Sequence, residues 1–318
     1  MIAPAMGVVV PVYNRAQTVL AALDSIANQT ARPRRLVVVD DGSRDDSADS
    51  VERWIAARRP EFEVRVIRQA NGGAASARNR GFAEVTDCPW VAFLDSDDQW
   101  PAGFLSRAAS ALHTGSLPVA MSANRRFVDV HSGAEEYYKL DKIAENPTQW
   151  MLRHGAALLS CTVLRTELVR ELGGFPQNIR AGEDSALLLP LSLRGPWRHL
   201  PGRAVTFQRM LMPNGTEEGA LSRKYRDNKY QWALVYDRFI RELSAADRAR
   251  VGTGREVTKL LANRWLQAGD ELAAHGLARE AARCYARAVY WRPTKLSYWQ
   301  TMARTQWTAL TRRAVAAA

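Results

Sequence analysis

Two short acidic clusters are the residues best suited to chemistry in this chain: Asp40-Asp41-Gly42-Ser43 and Asp95-Ser96-Asp97-Asp98. In the second, Asp95, Asp97 and Asp98 repel one another unless a cation neutralises them. A hard divalent ion held by one or two carboxylates and completed by diphosphate oxygens is a common solution. The first cluster is weaker evidence, because Asp, Gly and Ser also build ordinary turns and helix caps. His113, His131, His154, His199 and His275 show no paired metal-ligand spacing and read as structural or surface histidines.

Both clusters sit directly after short β-branched runs. Such runs cover 8–12, 36–40, 64–67 and 91–94, and amphipathic segments over 16–28, 45–58 and 74–84 separate them. This alternation predicts parallel strands joined by crossover helices. Runs that are apolar nearly throughout predict strands covered on both faces. The clusters then lie on the carboxyl edge of one sheet, where open α/β sheets bind ligands. Residues 72–79, small and alanine-rich, predict a helix packed closely on that sheet.

Further along, 103–215 mixes helices with strands expected over 120–130, 157–163 and 204–209. After Glu217 the pattern is helical. Val257, Leu260, Leu261, Arg264, Ala268 and Leu272 share one face, Gly276 breaks it, and Ala278, Ala281, Ala282, Tyr285 and Val289 continue a second face up to Pro293. One such hairpin is similar to a single tetratricopeptide-like unit, without a second copy. The expected layout is a ligand-binding half over 1–105, a second half over 106–215 and a helical region over 216–318.

The chain of 318 residues is 47% hydrophobic and 24% charged, which is globular composition, and carries a formal charge of +11. Residues 216–318 hold 19 Lys and Arg against 10 Asp and Glu, an excess of nine that leaves only two for the rest. Such basicity points to an acidic partner: nucleic acid, a phosphate-rich substrate or an anionic membrane surface. Nucleic acid is the poorest fit, since residues 1–215 are nearly neutral and hold no recognised motif. Three scattered cysteines, Cys88, Cys161 and Cys284, predict a reducing cytoplasm rather than a disulfide scaffold. The apolar run before Pro11 is too short for a signal peptide or a membrane span, and no other stretch approaches the roughly 20 residues a span needs. Any bilayer contact is therefore expected from the surface.

Taken in order, Pro11-Val12-Tyr13-Asn14, Asp40-Asp41-Gly42-Ser43, Asn71-Gly72-Gly73 with Ala77-Arg78-Asn79, Asp95-Ser96-Asp97-Asp98, Gly173-Gly174-Phe175 and Glu183-Asp184 give the chain a pattern that resembles the inverting family 2 glycosyltransferases of GT-A fold. The resemblance spans about 6–210 and leaves out the helical region. It implies an α/β fold with a doubly wound mixed sheet of GT-A type, to which the C-terminal helices are appended. It also implies a nucleoside-diphosphate sugar donor, Mn²⁺ or Mg²⁺, and a glycan or lipid-linked acceptor, in bacterial surface polysaccharide synthesis at the cytoplasmic face of the membrane.

Residue by residue, the resemblance implies that Pro11, Val12 and Tyr13 line the base pocket, that Asp41 accepts a hydrogen bond from the base, and that Asp95 approaches the ribose, with Ser96 beside it among the nucleotide-sugar-binding residues. Asp97 binds the metal and Asp184 is the general base; Arg78, in the alanine-rich helix, is read as sensing diphosphate or acceptor, and Glu183 and Arg209 are acceptor-side candidates. Each has a plainer alternative: core packing for Tyr13, turn formation for Asp41, helix N-terminal charge for Asp184. One departure concerns the segment 207–212, which keeps Arg209 but offers no histidine to a metal; the Pro213-Asn214-Gly215 that follows reads as a lid. A nucleotide-sugar-binding scaffold without catalysis is the alternative function. A nucleotidyltransferase lacks support, because its Gly-rich N-terminal loop is replaced by Pro11-Val12-Tyr13-Asn14. In the tail, Arg279, Arg283 and Arg287 form an i, i+4 stripe, and Leu296, Trp299, Ala303, Trp307 and Leu310 an apolar face. That combination suits an anionic membrane surface or, alternatively, docking on the catalytic domain.

Overall fold

The protein is described from a computed structural model, which covers residues 5–303 except 114, 157, 210–226 and 253. β1 (Met6–Val12), α1 (Val19–Ala27), β2 (Arg35–Asp40), α2 (Ser47–Arg58), β3 (Glu63–Arg68), α3 (Ala74–Ala83) and β4 (Trp90–Phe93) alternate along the chain. β2 and β4 flank β1 in parallel, and β3 lies parallel outside β2. The valines at 8–10 and 37–39 are wholly buried, because helices cover both faces of these central strands. On α3, a Cβ at Gly81 would stand 2.4 Å from Val9 Cγ1 and 3.1 Å from Val39 Cγ2, so glycine is what lets the helix lie this close to the sheet. β3 departs from the expectation of burial on both faces. It is the edge strand, and Glu63, Arg65 and Arg68 face solvent.

The sheet continues with β5 (Asp98–Gln99), β6 (Ala120–Asp129), β7 (Glu135–Tyr138), β8 (Thr162–Arg165) and β9 (Trp197–Arg209), in the order β3-β2-β1-β4-β8-β6-β9-β5 with β7 on β6. Antiparallel β8 joins the parallel half to β6, which makes the mixed α/β sheet of GT-A type that the resemblance implies. Along the chain between these strands run α4 (Phe104–Ala111), α5 (Pro147–His154), α6 (Thr166–Glu171) and α7 (Glu183–Leu191). The strand expected over 157–163 is corrected: Leu159–Cys161 form a 3-10 turn, and the strand starts at Thr162. The Thr162 hydroxyl, bonded back to the Leu158 carbonyl at 2.7 Å, competes with a strand ladder there. β9 begins seven residues before the expected 204, at Trp197.

The chain divides into two compact units. One comprises Met1–Met151, Ala156–Gln177 and Leu187–Glu218; the other Leu152–Gly155, Asn178–Ala186 and Gly219–Ala318. The second unit contains α8 (Asn228–Glu242), α9 (Ala245–Val251), α10 (Arg255–Ala274) and α11 (Ala278–Trp291), with residues 296–303 helical as well. The α10–α11 hairpin turns at Gly276, whose φ of 78° is left-handed. Leu277 N–H donates to the Leu272 carbonyl and Gly276 N–H to the Ala273 carbonyl, closing α10. Trp265, Ala268, Leu272, Ala281, Cys284 and Tyr285 form its core, while Leu260 and Arg264, expected on that face, are half-buried. Buried Asp237 accepts from the indoles of Trp265 (3.1 Å) and Trp291 (2.5 Å), with Arg241 and Arg287 at 3.7 and 3.9 Å. Arg287 of the basic stripe stands near this carboxylate and remains exposed. No described helix is long and apolar enough to cross a membrane.

Candidate active site

The carboxyl ends of β1 and β2 are laced together. Asp41 N–H donates to the Val12 carbonyl at 2.8 Å, Asn14 N–H to Ser43 Oγ at 3.0 Å, Arg44 N–H to Asn14 Oδ1 at 2.8 Å, and Arg15 N–H to Ser47 Oγ at 2.7 Å. Asn14 has a φ of 51°, a conformation that Asn tolerates better than most residues. Pro11 and Tyr13 are half-buried and Val12 buried, so Tyr13 stands at the rim rather than in the core.

Asp41 is buried, and its carboxylate accepts from Gln69 Nε2 (2.7 Å), Gly72 N–H (2.9 Å) and Gly73 N–H (2.8 Å). It organises the loop ahead of α3, and since a carboxylate has about four acceptor directions, one is left for a further donor. Its neighbour Asp40 is also buried. Asp40 Oδ2 takes Ser43 N–H at 3.3 Å, whereas Oδ1 has no hydrogen-bond partner among the described residues. An acceptor oxygen buried in that state costs free energy until a donor meets it.

Arg78 lies buried beneath the acidic turn, with Nη2 2.7 Å from Asp95 Oδ1 and its guanidinium 5.6 Å from the Phe175 ring centroid. Next to it, Asn79 donates to the Phe175 carbonyl (2.7 Å) and accepts Phe175 N–H (2.8 Å). This clasp brings together two of the sequence motifs. Gly174, at φ 73°, completes it, because a Cβ there would stand 2.5 Å from Asn79 Oδ1.

The acidic turn itself is held by the 3-10 turn. Asp95 N–H donates to Ser160 Oγ at 3.1 Å, and Trp100 Nε1 donates to the Ser160 carbonyl at 2.6 Å. Asp95 and Asp97 keep about a third of their side-chain surface open, while Ser96 and Asp98 are buried. Burial and the neighbouring Asp95 charge raise the Asp97 carboxyl above the usual carboxylate value, with Arg15, 3.4 Å away, acting in the opposite direction. Asp98 is raised further, by burial and then by Asp95 and Asp97. Two reachable hard oxygen donors, one of them disfavoured as a bare anion, fit a divalent cation. Among the described residues no three His, Cys, Asp or Glu side chains form a metal cluster by themselves, so phosphate and water oxygens would have to complete the shell.

On the second half of the sheet, Arg209 lies 2.5 Å from Glu136 Oε1 and over the Phe127 ring. Glu183 and Asp184 form the first turn of α7, both half-buried, in the stretch assigned to the helical unit. The structure thus brings Asp41, Arg78, Asp95, Ser96 and Asp97 together with Pro11, Val12 and Tyr13 in one unit, whereas Asp184 belongs to the other. The segment 213–215 lies outside the described residues. A shallow groove of about 350 Å³ lined by Asp87, Trp90, Arg165 and Arg170 lies at the opposite, amino end of β4 and contains none of these groups. Sequence reasoning missed Arg15 and Ser160, and gave Asp40 no role apart from its place in the first acidic cluster. Arg15 had a signal, a cation two residues beyond Tyr13 in the same loop, but nothing local marks Ser160.

Comparison with known proteins places this geometry. The model of the family described as glycosyl transferase family 2 matches residues 7–170. The succinoglycan biosynthesis protein ExoW of Rhizobium meliloti is 38% identical over 107 residues, 33% of this chain and 33% of that protein. The chain spans only about a quarter to a third of the length of the curated relatives it matches. Among solved structures, residues 1–349 of S. aureus TarS in complex with UDP-GlcNAc superpose with a TM-score of 0.62 at 19% identity, covering 96% of this chain and 92% of that one. The mannosyltransferase PcManGT from Pyrobaculum calidifontis, in complex with GDP-Man and Mn²⁺, gives 0.56 at 22% identity over 98% and 87%. At these identities the likeness shows the fold. It is the sequence match, covering just over half of the 318 residues, that shows the chain to belong to glycosyl transferase family 2.

Proposed function

We propose that the protein is an inverting glycosyltransferase that moves a sugar from a nucleoside diphosphate to a hydroxyl of a glycan or lipid-linked acceptor, in bacterial surface polysaccharide synthesis. The observation that carries this reading is the convergence of Asp40, Asp41, Arg78, Asp95 and Asp97 at the carboxyl ends of β1, β2 and β4, where Asp40 Oδ1 is buried with no hydrogen-bond partner among the described residues and Asp97 keeps about a third of its side-chain surface open. Tyr13, with Pro11 and Val12, lines the base, Asp41 and Asp40 accept from it, and Asp95 and Ser96 meet the ribose. Arg78 braces Asp95 from below. Asp97 would hold Mn²⁺ or Mg²⁺, which supplies charge neutralisation for the departing diphosphate. TarS and PcManGT, crystallised with UDP-GlcNAc and with GDP-Man and Mn²⁺, lend support to such a donor and metal.

Asp184 accepts the proton of the acceptor hydroxyl as its oxygen bonds to the anomeric carbon and the bond to the diphosphate breaks on the opposite face. A single displacement needs one base and inverts the centre. Glu183 and Arg209 face the acceptor. Residues 1–105 form the donor half, 106–215 the acceptor half, and 216–318 a basic helical region. The exposed Tyr290, Leu296 and Trp299 with Arg283 and Lys295 would rest on the anionic inner face of the plasma membrane. A thermal-shift screen of UDP-, GDP- and dTDP-sugars with and without Mn²⁺ tests the donor site. At least one donor should raise the melting temperature more with the metal than without it, and Asp97→Ala should remove that difference. No shift with any donor counts against the reading.

A further inference from the structure

We infer that Arg264 and Tyr236, on helices beyond the matched residues 7–170, are positioning residues for the Asp184 carboxylate; the inference rests on Asp184 being the base. The chain is held on α8 on either side of Asp184. Two residues before it, Gly182 has a φ of 89°, and a Cβ there would stand 2.8 Å from Trp232 Cδ1 and 3.5 Å from Val235 Cγ2. Glycine alone allows this approach. One residue after it, the buried Ser185 hydroxyl lies 3.4 Å from the Tyr236 hydroxyl, a long contact that still fixes which way the first turn of α7 faces.

Tyr236 is itself 2% exposed, with the Arg264 guanidinium 3.8 Å from its ring centroid. Arg264, on α10, donates from Nη2 to the Leu152 carbonyl at 3.2 Å. A continuous path of contacts therefore runs from α10 through Arg264 and Tyr236 to the turn that carries Asp184. All of it lies within the second unit, to which 178–186 belong rather than to the sheet. A helix N-terminus leaves its first N–H groups without intrahelical partners and frays easily. A base placed there needs outside support, because it must stay within hydrogen-bond reach of the proton it removes, and a misplacement of about 1 Å costs roughly a hundredfold in rate. The helical region is, on this inference, part of the catalytic apparatus.

Amide hydrogen exchange of the full chain reads the tether without any substrate. In Arg264→Gln and Tyr236→Leu, exchange over 183–188 should quicken about tenfold while β1, β2 and β4 keep their protection. Tyr236→Phe, which keeps the ring beneath the guanidinium but loses the hydroxyl that meets Ser185, should leave that exchange quickened nearly as much as Tyr236→Leu does. With the donor found by thermal shift, transfer should fall at least ~10-fold in the first two variants at donor affinity within about twofold of wild type. Unchanged exchange overturns the inference, as does faster exchange with undiminished transfer, or transfer lost only in proportion to donor affinity. Should Tyr236→Leu fail to fold, Arg264→Gln carries the test. Asp184→Asn separates the two claims: full transfer in that variant removes the base assignment, while the exchange result still reports whether α8 and α10 hold the turn.

Discussion

Asp41 shows how one carboxylate can order a loop and keep an acceptor direction open. Its oxygens collect Gln69, Gly72 and Gly73, so its charge orders the loop that leads into α3. Asp41→Asn turns an amide donor toward backbone N–H groups. It should cost about 1–3 kcal/mol, the penalty of an unmet buried donor, read as a lower urea midpoint, and weaken donor binding as well. The two acidic clusters were legible in the sequence because β-branched runs lead straight into carboxylates, and that pattern fixes the edge of the sheet. The partners of Asp41, the 3-10 turn that fastens Asp95 and the Arg15–Asp97 pair were not, since each joins residues about 30 to 80 positions apart and no local propensity encodes such a match.

Among the elements, the α3–Phe175 clasp ties the parallel half of the sheet to the loop after α6. Gly174→Ala forces a Cβ into Asn79 Oδ1 from a left-handed backbone, and a loss of about 1–3 kcal/mol in denaturant unfolding is expected. The β6–β9 pairing holds a pH-sensitive contact. His199 Nε2 lies 2.8 Å from Asn124 Oδ1, and burial lowers the imidazole below its ordinary 6.5. In the unfolded chain the ring protonates first, so stability complete above about pH 6.5 declines as pH falls through that value toward the folded one. Between pH 7.5 and 5.5, the urea midpoint of the wild type should fall more than that of His199→Gln. The four parallel strands were readable because each is a short, largely β-branched or apolar run separated from the next by an amphipathic segment. β3 and the start of β8 were misjudged, since edge position and a hydroxyl bonded to its own backbone are decided by neighbours rather than by the run itself.

At the scale of the whole molecule, the basic excess lies in residues 216–318, where Arg241 and Arg287 stand 3.7 and 3.9 Å from buried Asp237 and stay exposed. Exposed Tyr290, Leu296 and Trp299 remain at the surface. Sedimentation with anionic vesicles should be salt-sensitive, absent with neutral phosphatidylcholine, and weakened by Leu296→Asp with Trp299→Asp. No sequence rule foretold that residues 178–186 would join the helices, because that membership depends on Gly182 meeting Trp232, a contact across 50 positions. Whether this division serves transfer comes down to Asp184. The decisive assay supplies radiolabelled donor, Mn²⁺ and a mixture of membrane lipid extract and oligosaccharides to the wild type and to Asp184→Asn, and follows label transfer alongside nucleotide affinity. Transfer with inverted anomeric configuration by the wild type, and its loss in Asp184→Asn at nearly unchanged nucleotide affinity, is the expected result; transfer by the variant at a wild-type rate, or a product of retained configuration, would contradict it.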